Sequence, residues 1–279
     1  MFAKGVNLLS KMFPILLRSR MNPILLLADI EKAFHQINLR ESERNYLRFL
    51  WYNMDLGKQG ILVLETYRFC RVPFGIISSL FILAAIIIYL LEKNETKYTK
   101  LTRNNLYVDN MIVAVENVEE AQNLYRNATE TFEKASMKLR AWTSNNPEVI
   151  KIIPEHIRDD NEEINVLGLR WNRKQDSFRI KTPTKAFENT QKTMNEILKL
   201  QAKTYDQLGW VSPVTIKAKV LLQQLHKRKC KWEQSLTREE EKTWKEIYQD
   251  LQSLQSITIL RFIGQNITLD SKFQFHCFA

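Results

Sequence analysis

The sequence predicts an α+β protein: a mixed run of strands and helices, then a helical segment. Three observations carry that expectation. Residues 24–30 are short, continuous and apolar, the pattern of a buried strand. Residues 106–115 hold two further apolar runs, broken by a polar turn at Asp109 and Asn110. Beyond Asp176 helix-start signals come in series: Thr182-Pro183, Ser212-Pro213, and Thr237 with Glu240 three residues on.

In chain order, Leu8, Leu9, Met12, Phe13, Leu16 and Leu17 fall on one helical face. They predict a helix over 7–20 that Pro23 ends. The strand at 24–30 follows, then a helix over 42–52 and a hairpin partner over 61–72, where apolar residues alternate. The apolar run at 77–93 reads as a buried helix. Its most apolar part, 80–91, is twelve residues, and a bilayer span needs about 20. Asn117 with Glu120 caps a helix reaching about Lys138. Short strands are predicted at 164–171 and 177–181, with a domain boundary near Asp176.

The chain carries 41 Lys and Arg against 31 Asp and Glu, a net charge of +10, which favours polyanionic partners. The excess is uneven. Residues 191–231 hold nine basic side chains against Glu196 and Asp206, a local net of +7. Three cysteines, far apart and odd in number, offer neither a disulfide framework nor a metal spacing and point to a reducing compartment. The four histidines are scattered, and Met1 to Ser10 lack a signal-peptide pattern.

Asp29 ends the buried strand, and Asp109 sits in a turn between two apolar runs. A carboxylate at a buried strand needs a partner or a cation. If the two strands are neighbours, both carboxylates project at one sheet edge. That arrangement suits two divalent ions bridging the oxygens of a transferring phosphoryl group.

The words around these residues resemble the reverse transcriptases. Ala28-Asp29-Ile30-Glu31-Lys32-Ala33-Phe34-His35-Gln36-Ile37 is similar to motif A, and Val72-Pro73-Phe74-Gly75-Ile76-Ile77-Ser78-Ser79 to motif B. Leu106-Tyr107-Val108-Asp109-Asn110 resembles the Y-x-D-D box, and Val166-Leu167-Gly168-Leu169 the primer grip. With Asp206-Gln207-Leu208-Gly209-Trp210-Val211-Ser212-Pro213, the likeness extends to BEL/Pao retrotransposon polyproteins and covers nearly the whole chain.

The resemblance implies a palm with a ferredoxin-like antiparallel sheet and helices on one face, over residues 21–176. A helix remnant would precede it at 1–20. A helical thumb and the start of a connection or RNase H-like region would follow at 177–279. It implies Mg²⁺ or Mn²⁺ held by Asp29 and Asp109, with Asn110 completing the catalytic set. Phe34 would be the steric gate against ribose, and Phe74 and Gly75 would line the nucleotide pocket. Tyr107, Leu167, Gly168, Leu169, Lys217 and Lys219 would bind primer and template. Partners would be an RNA or DNA template with primer, dNTPs, and the protease, RNase H and integrase parts of the polyprotein, with no membrane. The setting would be intracellular, in the cytoplasm or a virus-like particle.

The sequence departs from the family pattern at three places. Asn110 stands where a second Asp is usual and removes a charge that Mg²⁺ uses. Leu80 replaces the Pro of motif B, so the helix there is expected to start earlier. Twenty-eight residues precede Asp29, too few for a complete fingers subdomain. The expectation is an RNA-directed DNA polymerase with impaired catalysis; the alternative is a non-catalytic nucleic-acid-binding relic. Residues 273–279 resemble the opening strand of an RNase H-like domain and stop before its acidic residue. No RNase H activity is therefore expected. With no Asp-Thr-Gly or Asp-Ser-Gly triplet, no peptidase activity is expected either.

Overall fold

The structure, a computed structural model, describes residues 4–53, 63–180 and 192–266. Helix α1 (Met12–Arg18) leads into strand β1 (Ile24–Ile30). A 3₁₀ turn (Ala33–Gln36) and the one-turn helix α2 (Glu41–Arg44) follow, then a hairpin of β2 (Arg48–Asn53) and β3 (Val63–Arg68). Next come α3 (Ser79–Lys93), α4 (Lys97–Asn104), β4 (Leu106–Tyr107) and β5 (Asn110–Val115). Helix α5 (Val118–Glu133), β6 (Leu139–Ser144) and α6 (Pro147–Lys151) complete the first layer.

The main sheet has the order β4-β5-β1-β6. All of its pairings are antiparallel. With α3 and α5 as crossovers, the chain runs β1-α3-β4-β5-α5-β6. This is the split βαβ arrangement of ferredoxin-like folds, so the expected fold class holds. Its continuous apolar strand has a physical cause. Alternate residues Ile24, Leu26, Ala28 and Ile30 pack with α3 and α5. Leu25 and Leu27 pack on the other face with α1 and a second sheet.

That second sheet contains β7 (Glu163–Val166), β8 (Leu169–Asn172), β9 (Ser177–Arg179) and β10 (Thr258–Leu260), in the order β10-β9-β8-β7. Between β9 and β10 lie α7 (Met194–Lys203), α8 (Ser212–Lys227) and α9 (Arg238–Ser253). These helices share their own core, including Leu200, Leu221, Trp244 and Ile247. Pro213 near the start of α8 and the Thr237–Glu240 capping box of α9 sit as their sequence signals predict.

Several expectations need correction. The helix expected at 42–52 stops after one turn at Arg44, and from Arg48 the segment is strand: Phe49, Leu50, Trp51 and Tyr52 are aromatic or bulky and pair with β3. The single strand expected at 164–171 is a hairpin, because Leu167 and Gly168 both take positive φ (45° and 93°). Helix α3 begins at Ser79, two residues into the expected 77–93 run, with Leu80 as its second residue. Helix α1 is shorter than 7–20, and α5 ends at Glu133 rather than near Lys138. Strand β6 and helix α4 were not foreseen. The strand β10 interrupts what reads as an all-helical segment. The helix start at Thr182-Pro183 and the strand at 273–279 lie outside the described residues. Among the described residues, no helix is long and apolar enough to cross a membrane.

Candidate active site

The two sequence-predicted carboxylates meet because β1 and β5 are neighbours, with Asp29 opposite Asn110 in the register. The Ile30 amide donates to the Asp109 carbonyl at 3.0 Å, which ties the turn to the strand end. Tyr107 pairs with Asn110, so Val108 and Asp109 form a two-residue hairpin turn. Val108 holds φ at 59°. A β-branched residue in the left-handed region is strained, and such strain collects at functional turns.

Burial raises the pKa of both carboxyls. Asp29 is raised by desolvation and then by the charge of Asp109, with Arg140 opposing. Asp109 is raised by desolvation, with hydrogen bonds from the backbone and from Asn110 opposing. The Asn110 amide donates to Asp109 Oδ1 at 2.8 Å. Two partly desolvated, mutually repelling carboxylates, one at the end of β1 and one in the adjoining turn, form a hard-oxygen donor set that fits a divalent cation. Among the described residues, no group of three or more His, Cys, Asp or Glu could hold a metal ion. A Mg²⁺ bound here would rely on water and substrate oxygens for its remaining ligands.

Phe34 is buried in the core and belongs to the 3₁₀ turn that follows Asp29. Its ring meets the edge of Phe74, with centroids 4.8 Å apart. Phe74 is 67% exposed and also touches the His35 ring. Gly75 takes φ 86°, and a Cβ added there would meet nothing within 4 Å. Its glycine is needed for backbone conformation, and open space lies beside it.

Tyr107 and Leu167 pack at the border of the same apolar cluster, which joins the main sheet to the β7–β8 hairpin. Gly168 is crowded: a Cβ there would come within 2.5 Å of the Tyr205 ring. Leu169 is buried in that cluster. Lys217 and Lys219 lie away from this junction on α8. Lys217 pairs with Asp250 at 2.7 Å, and Lys219 is exposed.

Two residues at the site escape sequence reasoning. Arg140 on β6 stands opposite Asp29 and forms an ion pair at 3.4 Å. It lies 111 positions away, and only the sheet order brings it there. Tyr205 covers Gly168, and its hydroxyl donates to Met12 Sδ at 2.6 Å. A tyrosine just before the Asp206-Gln207-Leu208-Gly209-Trp210 segment was the available signal.

The model of the family described as reverse transcriptase (RNA-dependent DNA polymerase) matches residues 5–169, more than half of the chain. The model described as a Pao retrotransposon-like RNaseH-like domain matches residues 193–279. The second match corrects the expectation that no RNase H activity resides here. That expectation rested on residues 273–279 alone, whereas the RNaseH-like assignment begins at residue 193 and takes in α7, α8 and α9. No curated protein matches the chain. A solved foamy viral protease-reverse transcriptase dRH, in complex with ds DNA, is similar at 13% identity and a TM-score of 0.54. The similarity covers 91% of this chain and 39% of that one, so the chain spans about two-fifths of that relative's length. A foamy viral protease-reverse transcriptase in complex with an RNA/DNA hybrid is similar at 14% identity and a TM-score of 0.49, over 87% of this chain and 29% of that one. The chain belongs to the reverse transcriptase family, in its BEL/Pao retrotransposon branch.

Proposed function

We propose that the chain carries out RNA-directed DNA synthesis at the edge of the main sheet, with Asp29 and Asp109 as the ligands of divalent ions, Mg²⁺ or Mn²⁺. The observation that carries this reading is the register that sets Asp29 against the Asp109–Asn110 turn. When bound, such ions neutralise charge on the transferring phosphoryl group and lower the pKa of a coordinated oxygen. The protein's own part is to hold two desolvated carboxylates ready, fixed by the Ile30–Asp109 bond and the strained turn. Asn110 keeps an amide oxygen for the site but supplies no charge, which lowers metal affinity and rate.

In this reading Phe74 and Gly75 border the nucleotide, in the open space beside Gly75. Phe34 backs Phe74 from the core and limits the room for a ribose hydroxyl. Tyr107 and the turn Leu167-Gly168-Leu169 hold the primer end, and the exposed base Lys219 tracks phosphates. We read residues 21–176 as the palm and the helices after it as the thumb side of the nucleic-acid channel. The similar foamy viral protein is held with ds DNA. A template–primer duplex with dNTPs is therefore the proposed substrate.

A second reading, a nucleic-acid-binding protein without catalysis, draws on one observation: Asn110 donates its amide to Asp109 where the family places an acid. Primer extension separates the two. With a primed RNA template, dNTPs and Mg²⁺ or Mn²⁺, the first reading expects extension that Asp109→Ala abolishes. Binding without extension in either metal supports the second.

A further inference from the structure

One buried charge in the molecule plays no part in the site just described. Arg261 follows β10 and is completely buried. Its guanidinium has five N–H donors, and all five have acceptors. Nε and Nη2 donate to the two carboxylate oxygens of Asp176 at 2.6 and 2.7 Å. Nη1 donates to the carbonyls of Asn22, at 2.8 Å, and Ser19. Nη2 also donates to the Pro23 carbonyl at 2.6 Å. The Arg261 amide donates to the Asp176 carbonyl at 2.9 Å.

These partners belong to three separate parts of the chain. Residues 19–23 form the turn that launches β1 toward Asp29. Asp176 is the turn between β8 and β9, held at φ 47°, and it also accepts from Trp171 Nε1 at 3.0 Å. Arg261 itself lies beyond the helical bundle. Arg20 closes the arrangement by donating to the carbonyls of Arg261 and Leu260 while its guanidinium lies 4.9 Å from the centre of the Trp210 ring.

We propose that Arg261 is a positioning residue for the β7–β8 hairpin, fixing its turn at Leu167-Gly168 relative to β1. The inference rests on the reading of that turn as the holder of the primer end. Strand β8 is only four residues long. The Asp176 turn lies beyond its far end, and the Leu167-Gly168 turn at its near end. A rigid anchor at one end therefore orients the other. The same anchor ties the segment after the helical bundle to the main sheet, so the two move together. A planar five-donor fork suits this role, and a lysine ammonium, with three donors and no plane, does not replace it.

The test uses the full chain with Arg261→Lys and, separately, Asp176→Asn. Amide hydrogen exchange is followed in the free protein, and dissociation of a primer–template duplex is measured alongside. The proposal expects exchange at residues 166–171 to speed up at least tenfold in both variants, with β1 and β5 still protected. It also expects the duplex to dissociate about tenfold faster. Faster exchange confined to β10 overturns it, since Arg261 is then only a local pin. Loss of protection throughout both variants, β1 and β5 included, overturns it in favour of a purely structural role. If wild-type protein binds no duplex, the primer-end reading fails. The exchange data still decide whether Arg261 orients the hairpin.

Discussion

Asp109 sits in a strained turn with its carboxyl pKa raised by burial, and Asp29 across the register is raised for the same reason. The sign of the consequence follows from proton linkage. Between the ordinary carboxylate range and the raised values, the folded protein retains protons that the unfolded chain has released. Stability contributed by these groups therefore falls as pH rises through that window. Asp109→Asn removes one desolvated charge and keeps an oxygen to accept from Asn110. Its melting temperature at pH 7 is expected to exceed wild type, by no more than about 2 °C because solvent screens this half-buried group. The two melting temperatures should converge as pH is lowered toward the ordinary carboxylate range. Thermal melts across pH check this; an Asp109→Asn protein less stable than wild type at pH 7 counts against it. Both acids were legible in the sequence because their neighbours spell recurrent boxes. Arg140, which opposes the raised pKa of Asp29, was not, because its place depends on β6 pairing with β1.

At the scale of elements, the two glycines of the candidate site differ in what a side chain would meet. Gly75 at φ 86° has open space around it, while Gly168 at φ 93° has the Tyr205 ring against it. Gly75→Ala adds backbone strain alone, about 1–2 kcal/mol. Gly168→Ala adds the same strain plus overpacking of about 1–3 kcal/mol. Denaturant midpoints of the two variants should rank in that order. Tyr205→Ala introduced into Gly168→Ala should recover the overpacking part and leave the strain. Equal losses at the two glycines would contradict the packing. Elements were read well where one signal dominated, as at β1, α8 and α9. Strand β2 marks the limit. Residues 48–52 carry no helix breaker, and only the partner strand β3 decides their state. Strand β6 is similar: a bulge between Leu27 and Asp29 of its partner, with Ala141 at φ 51°, breaks the alternation a strand would show.

For the whole molecule, the +10 charge and the basic segment at 191–231 imply binding that weakens steeply with salt. The two lysines proposed to contact phosphate differ in their surroundings. Lys219 is exposed, whereas Lys217 is held by Asp250. Lys219→Ala should lower the slope of log affinity against log salt by about one, and Lys217→Ala by less. Fluorescence anisotropy of a labelled duplex over a salt series checks both. The joining of the helical bundle to the main sheet was not legible in sequence. Arg261 and Asp176 lie 85 residues apart, and nothing local marks either as a buried pair.

The central claim, that Asp29 and Asp109 together hold a divalent ion, is tested most directly by Mn²⁺ titration followed by electron paramagnetic resonance. The expected result is a Mn²⁺ site that disappears in Asp29→Ala and in Asp109→Ala and tightens about tenfold in Asn110→Asp. Mn²⁺ binding unchanged by removal of either carboxylate would contradict it.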